Sequence, residues 1–147
     1  MRKLAVVLFV ALGMSSLPAH ANVDDAKKFA ETYANHVKAI DPAYKLTAEA
    51  GKAFFNKKYA RRKDNKEESC SSCHTDNPMN KGKHVDSGKT IQPLSPVANP
   101  ARFADLQKVE TKFKKHCNNI IGRDCTPQEK GDYITYLLSV GAEPAKK

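Results

Sequence analysis

Apolar residues recur at helical spacing over much of the chain. Across residues 23–40 the large apolar side chains follow one another every three or four positions, which predicts an amphipathic helix. Asp41-Pro42 should end it, because the residue before proline disfavours helical backbone. A second helix is predicted to begin near Thr47 and to run toward Tyr59.

Two further helices are predicted in the C-terminal half. Asn99-Pro100 has the pattern of a helix start, and apolar residues then repeat every three or four positions from Phe103 to Cys117. Gly122 can close this helix in a left-handed conformation. Residues 126–129, Thr-Pro-Gln-Glu, form a capping-box pattern ahead of a last helix that ends at Gly141, with a frayed tail beyond it.

The segments between these helices have loop signals. Residues 61–69 are charged without apolar periodicity, and residues 76–96 are rich in proline and glycine. A long irregular stretch inside a small domain is uncommon unless it wraps around something, such as a bound cofactor. With no repeat and no convincing strand pattern, we predict the all-α class and one domain.

The N-terminus has the pattern of a signal peptide. Arg2 and Lys3 precede an apolar run over residues 4–12, and Ala19-His20-Ala21 supplies a cleavage site of small residues. The run is well short of the roughly 20 residues that span a bilayer, so a retained anchor is the weaker alternative. We therefore expect residues 1–21 to be a cleaved signal and residues 22–147 to form a soluble periplasmic domain.

The charge balance is basic. The chain carries +9, and removing Arg2 and Lys3 with the signal, which contains no acid, leaves +7. A basic surface can bind nucleic acid, an anionic membrane or an acidic protein, and export argues against nucleic acid. The densest run of cations is either a docking face or an ordinary solvated loop, and consists of Lys57, Lys58, Arg61, Arg62, Lys63 and Lys66.

Residues 70–74, Cys-Ser-Ser-Cys-His, form the C-x-x-C-H pattern of covalent haem attachment. Cysteines three positions apart lie side by side on one helical turn, so both sulfurs can form thioethers with the vinyl groups on one side of a porphyrin. His74 can then reach the iron as an axial ligand. We predict one haem c, held by Cys70, Cys73 and His74.

Three other interpretations compete for this motif: half of a zinc site, a redox-active cysteine pair and a simple disulfide. Zinc would need a second ligand pair, and Cys117 and Cys125 could supply one only with an unusual eight-residue separation. A thioredoxin-like pair belongs in alternating strands and helices, which are not predicted here. Haem is therefore the favoured interpretation.

The helical pattern around the motif resembles the class I cytochrome c fold, whose members usually place a methionine before the last helix as second iron ligand. Here no methionine follows Met79, which lies only five residues after His74. From the residues alone, the second ligand could be absent or could come from any of five side chains: Met79, His84, His116, Asn118 or Asn119.

Residues 115–127 (KHCNNIIGRDCTP), with Thr75-Asp76-Asn77-Pro78 and the 93–96 and 99–100 segments, resemble the sphaeroides haem protein family. The similarity covers about residues 50–140. In that family an asparagine after the first of two cysteines ligates the ferric iron, and the cysteines form a disulfide. The resemblance thus implies Asn118 as ligand and a Cys117–Cys125 bridge. His116 departs from the family pattern, which has asparagine there, and could compete for the iron.

Three functions follow as hypotheses. The resemblance implies a protein that accepts electrons from a redox partner, itself an acidic or multihaem cytochrome, and binds O2, NO or CO when reduced. The second is a plain electron carrier with strong ligation by His116 or His84. The third is an enzyme that converts small nitrogen or oxygen species, although no distal acid or base is evident in the sequence.

Overall fold

Helices α1, α2 and α5 form the packed centre of the molecule. The structure, a computed structural model, describes residues 20–61 and 63–142. The helices are α1 His20–Lys38, α2 Ala48–Asn56, α3 Cys70–His74, α4 Leu106–Ile120 and α5 Pro127–Ala142. Of the predicted signal peptide, residues 1–19 lie outside the described residues, as do Arg62 and the tail residues 143–147.

The prediction of an all-α fold is confirmed, with two small additions. Strand β1 Tyr59–Ala60 pairs antiparallel with β2 Glu67–Glu68, and β3 Gly82–Lys83 pairs antiparallel with β4 Thr90–Ile91. Two-residue strands have no alternating apolar pattern, which explains why the sequence did not reveal them. Each pair closes a loop beside α3, so both additions flank the C-x-x-C-H segment.

The core forms where α1 and α2 pack on α5. Gly51 of α2 lies against the α5 backbone, since a Cβ at this position would come within 2.0 Å of the Asp132 carbonyl oxygen. Close approach of two helices therefore requires glycine here. Phe55 contacts the Tyr136 ring at 5.4 Å between centroids, and Ile134 and Leu137 are fully buried nearby.

Two predicted helix boundaries were wrong. Ile40 is 90% exposed, because α1 ends at Lys38 before that residue can join the apolar face. Helix α4 begins at Leu106 rather than near residue 100. Asp105 is the N-cap, accepting a hydrogen bond from the Lys108 amide at 3.1 Å, whereas the Asn99 side chain donates to the Pro93 carbonyl at 3.0 Å.

Other local predictions are confirmed. Gly122 has a φ of +84° after α4, and its amide donates to the Cys117 carbonyl at 3.1 Å. The Thr126 hydroxyl accepts from the Glu129 amide at 3.2 Å, while the Glu129 carboxylate accepts from the Thr126 amide at 2.8 Å. This is the reciprocal capping box that the sequence predicted.

The loop between α3 and α4 enters the core. Leu94 and Ser95 are almost completely buried, and their amides both donate to the Pro78 carbonyl, at 2.9 and 3.1 Å. Pro78 and Pro96 are buried as well. Within the described ranges, no helix has the length and apolar character that a membrane crossing demands.

Candidate functional site

Helix α3, only five residues long, is held by its own N-terminus. Ser69 is the N-cap, and its hydroxyl accepts from the Ser72 amide at 3.2 Å. The Ser72 hydroxyl in turn accepts from the Ser69 amide at 3.0 Å, which completes a capping box. Ser69 is only 4% exposed. The helix ends at Thr75, whose φ of +62° turns the chain away directly after His74.

Glycine 82 packs directly against the back of α3. A Cβ on this residue would lie 2.1 Å from the Cys73 carbonyl oxygen and 2.9 Å from the His74 Cα atom. Strand β3 therefore lies in backbone contact with the attachment segment, which only glycine permits. The sequence marked Gly82 as a loop residue and did not indicate this contact.

Both thiols of α3 are free and partly buried. Burial raises the pKa of the Cys70 thiol to about 12 and also raises the pKa of Cys73. The Cys73 sulfur donates to a Glu68 carboxylate oxygen at 3.4 Å. Thiol–disulfide exchange proceeds through the thiolate, which this environment disfavours. Nor does the described part of the chain contain a group of three or more His, Cys, Asp or Glu side chains arranged to hold a metal ion.

His74 is in the protonation state that an iron ligand needs. Burial lowers its pKa to about 4, and the positive charges of Arg102, His116 and His84 lower it further. The imidazole is therefore neutral near pH 7, with a lone pair available for coordination. Arg102 is a neighbour that the sequence gave no reason to single out.

Among the described residues of the basic run at 57–66, four cations have acidic partners. Arg61 is 8% exposed, and its guanidinium binds Asp64 at 2.9 and 2.5 Å, Asp86 at 3.0 and 3.1 Å, and Glu68 at 2.9 Å. These bonds raise the pKa of Arg61 and lower that of Asp64 to about 2. Three lysines of the run also have acidic partners, as Lys58 pairs with Glu67, Lys63 with Asp86 and Lys66 with Asp64.

The last turns of α4 hold three of the five candidate second ligands, His116, Asn118 and Asn119. Cys117 is joined to Cys125 by a disulfide bond, and both cysteines are buried. Asn118 donates through its amide nitrogen to the Lys114 carbonyl at 2.9 Å and to an Asp124 carboxylate oxygen at 2.5 Å.

His116 lies on the same turn of α4 as the disulfide. Its pKa is lowered, first by burial and then by the charges of Lys112 and Lys115, although the residue keeps solvent exposure. Its charge also acts on His74, as the lowered pKa of His74 reflects. The structure thus brings His116 into the electrostatic neighbourhood of the C-x-x-C-H histidine.

The other candidate ligands have different surroundings. The His84 Nδ1 atom accepts from the amides of Asp86 and Ser87, at 3.2 and 3.4 Å, so a neutral ring would carry its proton on Nε2. Coordination by His84 would disrupt that turn. Met79 is partly buried in the loop after α3, and Asn119 is exposed.

Helix α3 is capped, lies in a small helical domain, and carries two neutral, unpaired thiols and a neutral histidine. These residues fit a porphyrin bound through thioethers. The arrangement defines a c-type cytochrome. The chain belongs to the family described as Domain of unknown function (DUF1924), which matches residues 41–137.

Known proteins of this kind are similar over most of their length. The chain is 43% identical over 138 residues to cytochrome c'' of Methylophilus methylotrophus, covering 93% of this chain and 95% of that protein. The solution structure of that cytochrome c'' matches with a TM-score of 0.74 and 45% identity, covering 84% of this chain and 99% of the other.

A second relative supports the resemblance noted in the sequence. The structure of oxidised SHP, described as an oxygen binding cytochrome c, matches with a TM-score of 0.63 and 34% identity, covering 76% of this chain and 94% of that one. Membership in the group that contains the sphaeroides haem protein is thereby confirmed, and cytochrome c'' belongs to the same group of homologues.

Proposed function

We propose that this protein is an exported c-type cytochrome with one haem, attached through Cys70 and Cys73 and ligated by His74, that passes single electrons between redox partners. The observation that carries this proposal is the capped α3 helix, which presents two unpaired, neutral thiols one turn apart with a neutral imidazole next to them. The haem would supply an iron that cycles between the ferric and ferrous states. The residues of α3 fix its attachment and its first ligand.

We infer that His116 is the second ligand, ahead of Asn118. Phe113 and Cys117 lie on the face of α4 that packs toward the core. On an ideal helix His116 is about 60° from Phe113, whereas Asn118 is about 140° away. The hydrogen bond to Asp124 holds the Asn118 amide group away from other partners, although Asn118 is half-buried and His116 is exposed.

The relatives support a ligand that can be displaced. The solution structure of cytochrome c'' is described as giving insight into haem-ligand detachment, and that protein covers nearly the same length as this chain. For the present chain we propose that the second ligand can likewise detach from the iron. A detached ligand would open the reduced protein to small diatomic molecules.

Binding of O2, NO or CO in the reduced state is the accompanying proposal, supported by the similarity to SHP, an oxygen binding cytochrome c. Asn118 remains the ligand expected from that similarity. Its carbonyl oxygen stays available, because the hydrogen bonds at 2.9 and 2.5 Å use the amide nitrogen. A neutral amide oxygen is a hard donor that ferric iron tolerates and softer ferrous iron holds less well.

The two ligand assignments can be separated by absorption and electron paramagnetic resonance spectra of His116→Ala and Asn118→Ala. If His116 is the ligand, its removal should convert low-spin ferric protein to high-spin at unchanged haem content, while Asn118→Ala keeps the wild-type spectrum. Lys114→Ala, an exposed change on the same helix, is the matched control. A spectrum altered only by Asn118→Ala would reverse the assignment.

The cytochrome proposal itself has a simpler test. The protein purified from a periplasmic fraction should be coloured and should retain haem through denaturing electrophoresis, whereas Cys70→Ala/Cys73→Ala should lose it. Colourless protein, or haem released by denaturation, would contradict covalent attachment. Adding CO or NO to the reduced protein should shift its bands if the second ligand detaches.

A further inference from the structure

The segment of residues 81–91, called here the basic hairpin, lies beside the haem-attachment helix. Gly82 packs closely against α3, since a Cβ at this position would lie 2.1 Å from the Cys73 carbonyl oxygen. At the turn of the hairpin, Val85 and Asp86 face Ser72 across a surface depression. The hairpin therefore lies directly beside the helix that carries the haem-attachment residues.

The turn of the basic hairpin is well defined. The amides of Asp86 and Ser87 donate to Nδ1 of His84, and the His84 amide donates to the Lys89 carbonyl at 2.9 Å. Gly88 has a φ of +66°, which allows the tight reversal. Asp86 is bound by Arg61, so the turn is also tied to the rest of the molecule. Side chains on the hairpin thus project from a fixed backbone.

Three cations of the basic hairpin have no acidic partner within the described ranges. Lys81, Lys83 and Lys89 are all exposed, and none of them forms a salt bridge there. Asp86 is the single acidic residue of the hairpin. Its carboxylate forms ion pairs with Arg61 at 3.0 Å and with Lys63 at 3.7 Å. The hairpin therefore presents a local excess of positive charge from lysines without acidic partners, unlike Lys58, Lys63 and Lys66.

Charge of this kind acts over a limited range. At physiological salt, interactions between exposed charges are screened over about 8 Å, so the cations nearest to the point of electron transfer dominate the encounter. Complementary charges mainly raise the association rate and select the orientation of the complex. Val85, 47% exposed in the middle of the hairpin, offers an apolar contact of the kind found at the centre of docked surfaces.

We propose that the basic hairpin is the docking surface for an acidic electron-transfer protein, with Lys81, Lys83 and Lys89 meeting carboxylates of the partner. The inference rests on the proposed function, because it takes the haem to be attached at α3. It places the partner against the attachment segment. Lys58, Lys63 and Lys66 are less suited to this role, because each of them already has an acidic partner within the described part of the chain.

The test uses the oxidised, haem-loaded protein, labelled with ¹⁵N, and oxidised flavodoxin as an acidic probe, so that no electron moves. Amide shifts should change at residues 81–91. The variant Lys81→Gln/Lys83→Gln/Lys89→Gln should bind flavodoxin about tenfold more weakly at low salt, the low end of electrostatic steering effects. The difference should shrink at high salt.

The matched control is Lys27→Gln/Lys28→Gln/Lys38→Gln, which removes the same charge from α1, a helix packed on α5. It should change binding by less than about twofold. Equal weakening by both variants would mean that only net charge matters and would overturn the proposal, as would shift changes centred on residues 57–66. Vesicles containing phosphatidylglycerol provide a further arm: hairpin-dependent binding to them without binding to flavodoxin would assign the surface to a membrane.

Failure of this inference can be told apart from failure of the cytochrome proposal. Each variant is first checked for covalent haem by its colour after denaturing electrophoresis, which docking does not affect. Haem-loaded protein whose hairpin does not respond to flavodoxin would refute the docking surface alone. Loss of haem from wild-type protein would instead refute the function on which the surface depends.

Discussion

The attachment segment and the second-ligand segment are held in different ways. Around α3 the restraints are backbone contacts and buried hydrogen bonds: a capping box at Ser69, glycine packing at Gly82 and the buried Arg61 cluster. The segment from His116 to Cys125 is held mainly by side chains. Helix α4 has no close backbone packing of the kind that joins α1 and α2 to α5 in the described chain.

A few specific links connect the α4 region to its surroundings. The disulfide joins the end of α4 to the loop before α5, and Arg123 binds the Glu129 carboxylate at 2.8 and 2.6 Å. Glu110 links α4 to α1 and α5. Contacts between mobile side chains can open at lower cost than packed backbones. The contrast suits a first iron ligand that stays fixed and a second ligand that is replaceable.

The largest expected effect is on the attachment side, from Gly82→Ala. The added Cβ would lie 2.1 Å from the Cys73 carbonyl oxygen, a backbone atom that cannot move without displacing α3. We expect a loss of about 3 kcal/mol in the free energy of unfolding, the upper range for overpacking. Chemical denaturation and haem content per protein would measure it, and both should fall.

Lys83→Ala, one residue further along β3 and exposed, is the control for this change. It should leave stability and haem content close to wild type. If Gly82→Ala proved equally mild, the backbone contact with α3 would not matter for attachment, and the contrast between the two segments would be lost.

Local signals in the sequence were sufficient to predict much of the helical fold and of the attachment segment. The C-x-x-C-H motif, the capping box at Thr126 and the C-cap at Gly122 each depend on a few consecutive residues, so their structural consequences could be predicted. The structure also joins Cys117 to Cys125, the pair that the family resemblance implied.

Features that depend on distant partners were missed. Asn99-Pro100 matched a helix start, but the buried Pro93 carbonyl takes the Asn99 side chain, and Asp105 caps α4 instead. Arg61 belonged to a basic run in sequence, yet it is buried among carboxylates that include Asp86, 25 positions away. Pairing of this kind has no local pattern, so only the fold reveals it.

The second prediction concerns the disulfide of the second-ligand segment. Cys117→Ser/Cys125→Ser removes a bridge with a sequence separation of 8. The chain-entropy estimate for so short a loop is about 2.5 kcal/mol in the free energy of unfolding. Because the bridge ties down the turn that carries His116, the ferric spectrum should also move toward high spin, with haem content unchanged.

Lys114→Ala, an exposed change on the same helix as Cys117, should alter neither stability nor spectrum appreciably. A double-serine variant that lost stability but kept the wild-type spin state would mean that the bridge only stabilises the fold. In that case the disulfide would have no part in holding the second ligand.

The smallest effect is expected at the link between α4 and its neighbours, from Glu110→Gln. Glu110 accepts from the Tyr33 hydroxyl and binds Lys130 at 2.7 Å, while the Lys130 ammonium lies 5.3 Å from the Tyr33 ring centre. Losing one charged bond in a partly exposed pair should cost about 1 kcal/mol at pH 7. Urea denaturation would measure the difference.

The pH dependence of this cost has a definite sign. Burial raises the pKa of Glu110, but the bonds from Lys130 and Tyr33 outweigh it, so the pKa lies below its ordinary value. A carboxylate of lowered pKa stabilises the fold above its unfolded pKa of about 4.3, and this contribution is lost as the pH falls through the lower folded value. The difference in free energy of unfolding between wild type and Glu110→Gln should therefore shrink below about pH 4.

The control is Glu31→Gln, at an exposed site on α1, which should change the free energy of unfolding little at either pH. If the loss in free energy of unfolding caused by Glu110→Gln stayed constant down to pH 3, the charge of Glu110 would not be what links α4 to α1 and α5.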